Sequence, residues 1–414
     1  MRQMRADNSP LVRSVNSDAM QEKNQTPEGK KHDRKPRVVV IYHFYPHYRK
    51  PIVEALARSE SVDFTFVGDD HEYLNSIQPS KFTDRVKFRL ARTHRLIGPF
   101  MWQWGAITWA IRPGFDIVIM HPVAHWPCTW IGAILARLIG REVMFWGHGY
   151  LYEPKGLKGL VRRAFNALPT SHLFYGRISK AIAINNGWDP ERLHVIYNSL
   201  DTEAQAQILA RLTPERISAA RKAMFGTDAM PLVCCTSRLI QVRRLDLLVQ
   251  AMGILRKRGL EAGLVLVGDG PERAKLESMA RESGLPVHFE GETYDEERIA
   301  ELVASCNVTV APGKVGLTAI HSMAYGVPVV THDNYADQMP EFEAVIPGKT
   351  GSFFKHGSVE SLADAMEPWL RSRAPDAAVR DACIGIVRRF WNVNYQQRAI
   401  ERAVLGLPAD DIRT

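Results

Sequence analysis

Three segments in the second half of the chain combine glycines with cationic side chains, a combination suited to binding phosphate groups. The first, residues 237–244, carries three arginines just before an apolar, helix-like stretch. An arginine guanidinium can form two parallel hydrogen bonds with phosphate oxygens. A solvated basic helix start would contain the same residues, but cations at a helix N-terminus oppose the helix dipole. We therefore expect Arg238 and Arg243 to bind a diphosphate.

The other two segments are loops that follow apolar runs. The second contains Gly268, Asp269 and Gly270, and the third contains Gly313, Lys314, Val315, Gly316 and Leu317. Glycines let the backbone approach a ligand, and the helix that follows would present free N–H groups to an anion. The third loop is not a Walker loop, because no Ser or Thr follows its Gly-Lys pair. These patterns predict a pyrophosphate held between the third loop and the two arginines.

The scaffold for these loops is indicated by alternating strand and helix patterns. Short apolar runs such as residues 37–42 and 264–267 are bounded by turn residues and separated by windows with helical spacing. This alternation favours parallel sheets with helical crossovers. In such sheets ligands bind outside the carboxyl ends of the strands, which is where all three segments fall.

Length and charge divide the chain further. A chain of 414 residues exceeds what one hydrophobic core supports, so we expect α/β domains over 37–200 and 201–375, followed by C-terminal helices over 376–414. Residues 1–37 carry nine Lys or Arg against five Asp or Glu, about half of the net charge of +8. Residues 1–36 are predicted to be a disordered basic tail without a signal peptide. No nucleic-acid partner is required by the remaining charge.

Five cysteines without Cys-x-x-Cys spacing argue against a disulfide scaffold or a structural zinc site and fit a cytoplasmic protein. Residues 96–111 and 117–136 are the most apolar stretches, but Gly and Pro interrupt the first, and His and Pro the second, so neither is expected to span a membrane. The Trp-rich segment 100–109 and the helical pattern 156–168 have basic neighbours. They fit either peripheral contact with an anionic membrane, at the inner face of the cell membrane, or ordinary core-facing packing.

The order of these motifs resembles the retaining glycosyltransferases of family 4. Ser-Arg-Leu-x3-Arg is similar to that family's diphosphate clamp, and the Val-Gly-Asp-Gly-Pro-Glu-Arg segment matches its pattern. The stretch from Gly316 to Val330 is similar to the family's helix and strand after the donor loop. The resemblance implies the GT-B fold, in which two Rossmann-like doubly wound domains face each other across a cleft. It also implies that the helices after residue 376 cross back to the first domain.

The resemblance implies roles for individual residues. His148 falls where the family places a histidine beside the transferred sugar, and we group it with Arg238 and Arg243 as catalytic. The family's Glu-x7-Glu pair falls on Gly313 and His321, so both acids are missing. The expected donor-binding residues are Gly268, Asp269, Gly270, Gly313, Lys314, Val315, Gly316, Leu317 and His321. A different loop replaces the family's first glycine-rich loop, and its expected acceptor-side residues are His47 and Arg49.

The function implied by the resemblance is hexosyl transfer from a nucleotide-diphosphate sugar to a glycan or lipid-linked glycan, with retention, in surface polysaccharide or glycolipid biosynthesis. No Asp-x-Asp occurs in the chain, so protein cations rather than a metal are expected to hold the diphosphate, and no cofactor is expected. Two alternatives stay open. A non-catalytic nucleotide-sugar-binding subunit would account for the missing acids, and a nucleotide-sugar 2-epimerase would require carboxylates in the cleft.

Overall fold

A computed structural model of the protein describes residues 34–71, 78–149, 156–371 and 375–409. The strands are β1 (Arg37–Phe44), β2 (Asp63–Asp69), β3 (Phe88–Leu90), β4 (Thr93–Arg95), β5 (Met101–Gln103), β6 (Ile117–Met120), β7 (Glu142–Gly147), β8 (Ser171–Phe174), β9 (Leu193–Val195), β10 (Leu232–Thr236), β11 (Gly263–Val267), β12 (Val287–Gly291), β13 (Val308–Ala311), β14 (Val329–His332) and β15 (Gly351–Phe354). The α-helices are α1 (Lys50–Ala57), α2 (Ala106–Ile111), α3 (Pro127–Leu138), α4 (Gly156–Asn166), α5 (Arg177–Asn185), α6 (Thr202–Arg211), α7 (Pro214–Phe225), α8 (Leu245–Lys257), α9 (Arg273–Glu282), α10 (Glu296–Ala304), α11 (Leu317–Ala324), α12 (Val359–Leu370), α13 (Ala377–Phe390) and α14 (Val393–Val404).

Two parallel sheets organise the chain. The first has the strand order β3-β2-β1-β6-β7-β8-β9 and the second the order β12-β11-β10-β13-β14-β15. In each sheet the order reverses once, between β1 and β6 and between β10 and β13. Such reversals leave a crevice at the carboxyl ends of the two central strands, where ligands of doubly wound sheets bind. The strand orders confirm that the fold consists of two doubly wound parallel sheets, as predicted.

The central strands are apolar because both of their faces are covered. Val38, Val39 and Val40 of β1 are completely buried, with Val38 and Val40 packing on one side of the sheet and Val39 on the other. Strands with buried residues on both faces read as continuous apolar runs, and this is why the sequence revealed them. Several helices begin at side-chain caps. Asp201, for example, accepts a hydrogen bond from the N–H of Ala204 at the start of α6.

The chain returns to the first sheet at its C-terminal end. Helix α13 packs against α11, and α14 packs against α1 and β9. Gln396 of α14 donates a 2.6 Å hydrogen bond to the carbonyl of Tyr197 and accepts one of 2.7 Å from the hydroxyl of Ser199. The Tyr197 and Trp391 rings lie 4.6 Å apart. These buried contacts tie the last helix to the end of the first sheet.

Some local features differ from the sequence-based expectations. Residues 1–33 of the expected tail lie outside the described residues, and its last three residues, 34–36, contact the first sheet. Arg34 forms two hydrogen bonds with Asp116, and the Pro36 carbonyl accepts from the N–H of Asp63. The edge strands β3 and β15 and the antiparallel β4–β5 hairpin were not predicted, since each strand is only three or four residues long. In the described part of the chain, no helix is long and apolar enough to cross a bilayer.

Candidate functional site

The two crevices carry different chemistry. On the second sheet, the loops after β10 and β13 come together. We call residues 237–244, after β10, the arginine segment and residues 313–317, after β13, the Gly-Lys loop. The ends of β1, β6 and β7 bring together histidines and one buried arginine of the first sheet. Across the cleft, the His47 ring meets the Tyr294 ring edge to face, with centroids 5.8 Å apart. The two sides are therefore in contact at one edge of the cleft.

On the second sheet, the arginine segment and the Gly-Lys loop are joined directly. Arg243 donates a 2.7 Å hydrogen bond from its guanidinium to the carbonyl of Lys314. The N–H of Gly313 donates in return to the carbonyl of Arg243 at 3.1 Å. The Nε of Arg243 is buried and has no hydrogen-bond partner among the described residues. An unpaired donor of a cationic group at this position is suited to an oxygen of a bound phosphate.

The glycines of these loops allow the loops to pack on one another. A Cβ on Gly268 would lie 2.2 Å from the carbonyl oxygen of Ser237, and one on Gly270 would lie 2.4 Å from that of Leu239. A Cβ on Gly313 would lie 2.4 Å from the carbonyl oxygen of Val242. The sequence suggested glycines for close approach to a ligand. In the structure their absent side chains first permit close approach between backbone segments. Asp269, between two of them, pairs with Arg273 at 3.2 Å.

The remaining residues of the predicted donor side differ in how they are engaged. Arg238 is exposed, whereas Lys314 forms a 2.7 Å ion pair with Asp337. Val315 is buried, and its N–H donates to the Gln338 side chain at 2.9 Å. Gly316 precedes Leu317 at the N-terminus of α11. Arg238 is thus the predicted clamp residue that is most accessible to solvent.

His321 has an acid beside it, although the acid that the family has at this position is missing. The Nε2 atom of His321 lies 2.7 Å from Oε1 of Glu296, and the hydroxyl of Tyr325 donates to the same oxygen at 2.5 Å. Burial raises the pKa of Glu296, but the hydrogen bonds from His321, Tyr325 and Gln205 outweigh burial and hold that pKa at about 2. Position 321 therefore presents an imidazole backed by an ionised carboxylate.

The first sheet contributes three histidines that end buried strands or follow them. His43 is the second-to-last residue of β1, His121 follows β6 and His148 follows β7. In each ring Nδ1 is buried without a partner among the described residues. Burial, together with the charge of Arg49, lowers the pKa of His43 and of His148 to about 4. The same two causes, with the neighbouring imidazoles, lower the pKa of His121 well below its ordinary value. All three rings are therefore neutral near pH 7 and suited to hydrogen bonds with uncharged hydroxyl groups.

Arg49 forms the back of this group. It is 6% exposed, and its guanidinium lies 4.6 Å from the Tyr42 ring centroid, 5.3 Å from that of Trp146 and 5.4 Å from that of Tyr175. It donates hydrogen bonds to both tyrosine hydroxyls. In the described part of the chain, no carboxylate lies within ion-pair distance of it. The aromatic rings hold the cation by cation–π attraction and hydrogen bonds.

Sequence reasoning missed part of this first-sheet group. The missed residues are His43 and His121. The available signal was their position, because each stands at the carboxyl end of a buried strand beside the strand-order reversal. Their rings lie 4.5 Å apart.

A second histidine pair lies at the end of β14. His332, Asp337 and His356 bring their side-chain ligand atoms within 4.8 Å of one another. However, Nδ1 of His332 accepts the N–H of Asn334, so the proton of its neutral ring sits on Nε2. Asp337 is already paired with Lys314. This arrangement favours a hydrogen-bond donor over a metal ligand at His332.

Comparison with known proteins agrees with this architecture. Residues 221–384 match the family described as Glycosyl transferases group 1. A GDP-mannose-dependent alpha-(1-6)-phosphatidylinositol dimannoside mannosyltransferase of Mycobacterium tuberculosis is 37% identical over 120 residues, which are 28% of this chain and 31% of that protein. A GDP-mannose-dependent alpha-(1-6)-phosphatidylinositol monomannoside mannosyltransferase of Mycolicibacterium smegmatis is 29% identical over 201 residues, 45% of this chain and 50% of that protein. The matches thus span 31% and 50% of the length of these two relatives.

Similarity to solved structures extends over nearly the whole chain. HepE of Anabaena in complex with UDP gives a TM-score of 0.67 at 18% identity, covering 90% of this chain and 100% of the other. The lipopolysaccharide outer core galactosyltransferase WaaB gives 0.65 at 14% identity, covering 89% and 99%. These likenesses concern the fold. The predicted GT-B fold is thus confirmed, and residues 221–384 within it match the group 1 glycosyl transferases.

Proposed function

We propose that this protein transfers a hexose from a nucleotide-diphosphate sugar to a hydroxyl group of a lipid-linked glycan or glycolipid, with retention of the anomeric configuration. The observation that carries the proposal is the pairing of two unlike crevices. A cationic one, with Arg238, Arg243 and the start of α11, suits the diphosphate. The other, with the uncharged ring of His148 at the end of β7, suits the uncharged sugar and acceptor.

The donor side supplies charge stabilisation. As the bond between C1 of the sugar and the phosphate oxygen breaks, negative charge develops on the departing diphosphate. The exposed guanidinium of Arg238, the unpaired Nε of Arg243 and the N–H groups at the start of α11 are the donors proposed to stabilise that charge. We propose that these groups take the place of a metal ion and that no cofactor is needed.

The acceptor side supplies alignment. With a pKa of about 4, His148 is a weak base at neutral pH, so its proposed role is to hydrogen-bond the sugar and not to remove a proton. The acceptor hydroxyl then attacks C1 from the face that the diphosphate leaves. A new C1–O bond forms, and the hydroxyl proton passes to the departing phosphate oxygen. Front-face attack of this kind retains the configuration at C1.

The donor and acceptor to test first come from the relatives. Their names specify GDP-mannose and phosphatidylinositol mannosides, so GDP-mannose with a phosphatidylinositol-linked mannoside is the first pair, with UDP- and ADP-sugars as alternatives. The test measures nucleoside diphosphate release and product formation together, and NMR of the product gives its anomeric configuration. Diphosphate that appears only with acceptor, and an unchanged anomer, would support the proposal. An inverted product would overturn retention.

One set of contacts favours a second candidate, a nucleotide-sugar-binding subunit without catalytic activity. Lys314 is paired with Asp337, and His321 is paired with Glu296, so two of the expected donor-binding side chains already have protein partners. Binding of a nucleotide sugar without turnover, for every acceptor fraction tried, would favour this candidate. A contact with an anionic membrane at the inner face of the cell membrane also belongs to the proposed function.

A further inference from the structure

Exposed apolar side chains of the described chain are concentrated on segments of the first sheet's domain. At the tip of the β4–β5 hairpin, Ile97 is 85% exposed, Leu96 51% and Phe100 48%. Trp104, just beyond the hairpin, is 62% exposed. A two-stranded hairpin that holds three large apolar side chains in solvent has no core of its own to bury them.

Helix α4 has a second apolar face that the protein core does not use. Phe165 points inward and is 2% exposed, but Leu157 is 77%, Leu160 65% and Val161 46% exposed. Lys158 lies among them. Of the two alternatives that the sequence left open, ordinary core-facing packing is therefore wrong for these three residues. Their spacing is that of an amphipathic helix lying at an interface.

Helix α3 connects the two features. Its outward side chains Ile134 and Leu138 are 42% and 75% exposed. Towards α4, the Trp130 and Phe165 rings are 4.9 Å apart. Towards the hairpin, the N–H of Gln103 lies 3.4 Å from Sγ of Cys128 at the start of α3. The hairpin, α3 and α4 are thus neighbours, and we call their exposed side chains the apolar face.

The charge of residues 88–141 is mostly of one sign, although Arg92 is paired with Asp69 and Asp70, which lie outside this stretch. Residues 88–141 contain six arginines and a single acid, Asp116. Asp116 itself is paired with Arg34. Exposed Arg95 lies in the hairpin, and Arg112 stacks on Trp109 with its guanidinium 4.7 Å from the ring centroid. Apolar tips surrounded by cations match the order of groups in an anionic bilayer, where negative headgroups lie above acyl chains.

The apolar face is also connected to the candidate site. Arg162 of α4 donates a 3.0 Å hydrogen bond to the carbonyl of Gly149, the residue after His148. A membrane held against α4 would therefore lie next to the loop that carries the proposed sugar-binding histidine. A lipid-anchored acceptor could reach the cleft without leaving the bilayer.

We propose that the hairpin tip and the outward faces of α3 and α4 dock on an anionic lipid bilayer, with Ile97 and Leu157 entering the boundary between headgroups and acyl chains. This inference deepens the proposed function by naming the surface from which a lipid acceptor arrives. It is tested separately, because bilayer binding needs neither donor nor turnover.

The experiment is flotation of the full chain with vesicles of phosphatidylcholine alone or mixed with phosphatidylglycerol. We expect binding to the mixed vesicles that weakens with salt, since exposed charges are screened within about 8 Å at physiological ionic strength. Ile97→Asp with Leu157→Asp should reduce binding at least about tenfold, because both side chains leave water on docking. Ile346→Asp, at an apolar residue of the second domain that is 39% exposed, is the matched control and should bind normally.

Three results would overturn the docking proposal. The first is that the protein binds equally well to both kinds of vesicle. The second is that the double variant binds as well as Ile346→Asp does. The third is that the double variant changes only the oligomeric state of the protein. The last result would identify the apolar face as a contact between copies of the chain. Donor binding, followed by thermal shift, should be normal in the double variant. Bilayer binding that persists without turnover on any acceptor would instead count against the proposed function.

Discussion

The carboxylate of Glu343 accepts a 2.8 Å hydrogen bond from the backbone N–H of Arg177 and so joins the two halves of the molecule. Glu343 follows the second sheet's β14, and Arg177 begins helix α5 beside the first sheet. The N–H of Ile178 donates to the same carboxylate at 2.9 Å. Gly176 makes this approach possible, because a Cβ there would lie 2.5 Å from Oε1 of Glu343. A carboxylate at a helix N-terminus is favourably placed relative to the helix dipole.

This contact should make the stability of the protein depend on pH. Burial raises the pKa of Glu343 to about 7, although the two N–H groups act in the opposite direction. The folded protein then keeps a proton that the unfolded chain releases near pH 4.5, so this residue's contribution to stability falls as pH rises from about 4.5 to 7. Glu343→Gln cannot titrate. The measurement is the free energy of unfolding of both proteins by urea between pH 4.5 and 8.

Relative to that of the wild type, the free energy of unfolding of Glu343→Gln should rise across that pH range by a few kcal/mol at most. Above the range, the difference between the two proteins should change little. Comparing the two proteins at each pH removes the contribution of the buried histidines, which has the opposite sign. Their pKa values are lowered, so their stabilisation is present above about pH 6.5 and lost as pH falls towards 4. A difference between the two proteins that stays constant with pH would contradict the assignment for Glu343.

His148→Ala should lower turnover by more than about tenfold, because the variant loses the imidazole proposed to hydrogen-bond the transferred sugar. The measurement is kcat on a water-soluble acceptor, which avoids any effect of the apolar face. His125→Ala is the control, since His125 is exposed and lies on the loop before α3. Near-normal kcat in His148→Ala would remove the residue from the site.

Arg238→Ala should lower kcat/KM by more than about tenfold, because the variant lacks the exposed guanidinium that follows β10 and is proposed to contact the departing diphosphate. Arg238→Lys should restore part of the loss, as a point charge remains without the forked geometry. Arg281→Ala removes an exposed arginine from the end of α9 and is the control. If Arg238→Ala and Arg281→Ala behave alike, the diphosphate is held elsewhere.

Gly313→Ala should weaken both folding and donor binding, because its Cβ would lie 2.4 Å from the carbonyl oxygen of Val242 and separate the Gly-Lys loop from the arginine segment. A matched substitution is Gly253→Ala in the middle of α8, where no atom lies within 4 Å of the added Cβ. That change should raise stability by up to about 1 kcal/mol. Thermal shift with and without nucleotide sugar measures both effects. A Gly313→Ala protein with normal Tm and normal donor shift would show that the two loops are not coupled.

The parts that the sequence could predict are those whose signal is local. Continuous apolar runs such as Val38 to Val40 mark buried parallel strands, and the arginine and glycine segments follow such runs, so the fold class could be predicted. The pairing of Lys314 with Asp337 and of His321 with Glu296 joins residues 23 and 25 positions apart on different elements, which periodicity does not reveal. The histidine group of the first sheet could not be predicted for the same reason. His43 and His121 are distant in sequence, and only the strand order shows that their rings are neighbours. The roles of the predicted site residues stay predictions.

The central claim, acceptor-dependent sugar transfer, is tested most directly by following one reaction in two ways. The full chain is incubated with GDP-mannose and a phosphatidylinositol-linked mannoside, and nucleoside diphosphate and extended glycolipid are quantified together, with UDP- and ADP-sugars in parallel. We predict equal amounts of both products from at least one donor and neither product when the acceptor is left out. Diphosphate release without acceptor at the same rate, or bound donor that is never consumed with any acceptor, would contradict the account.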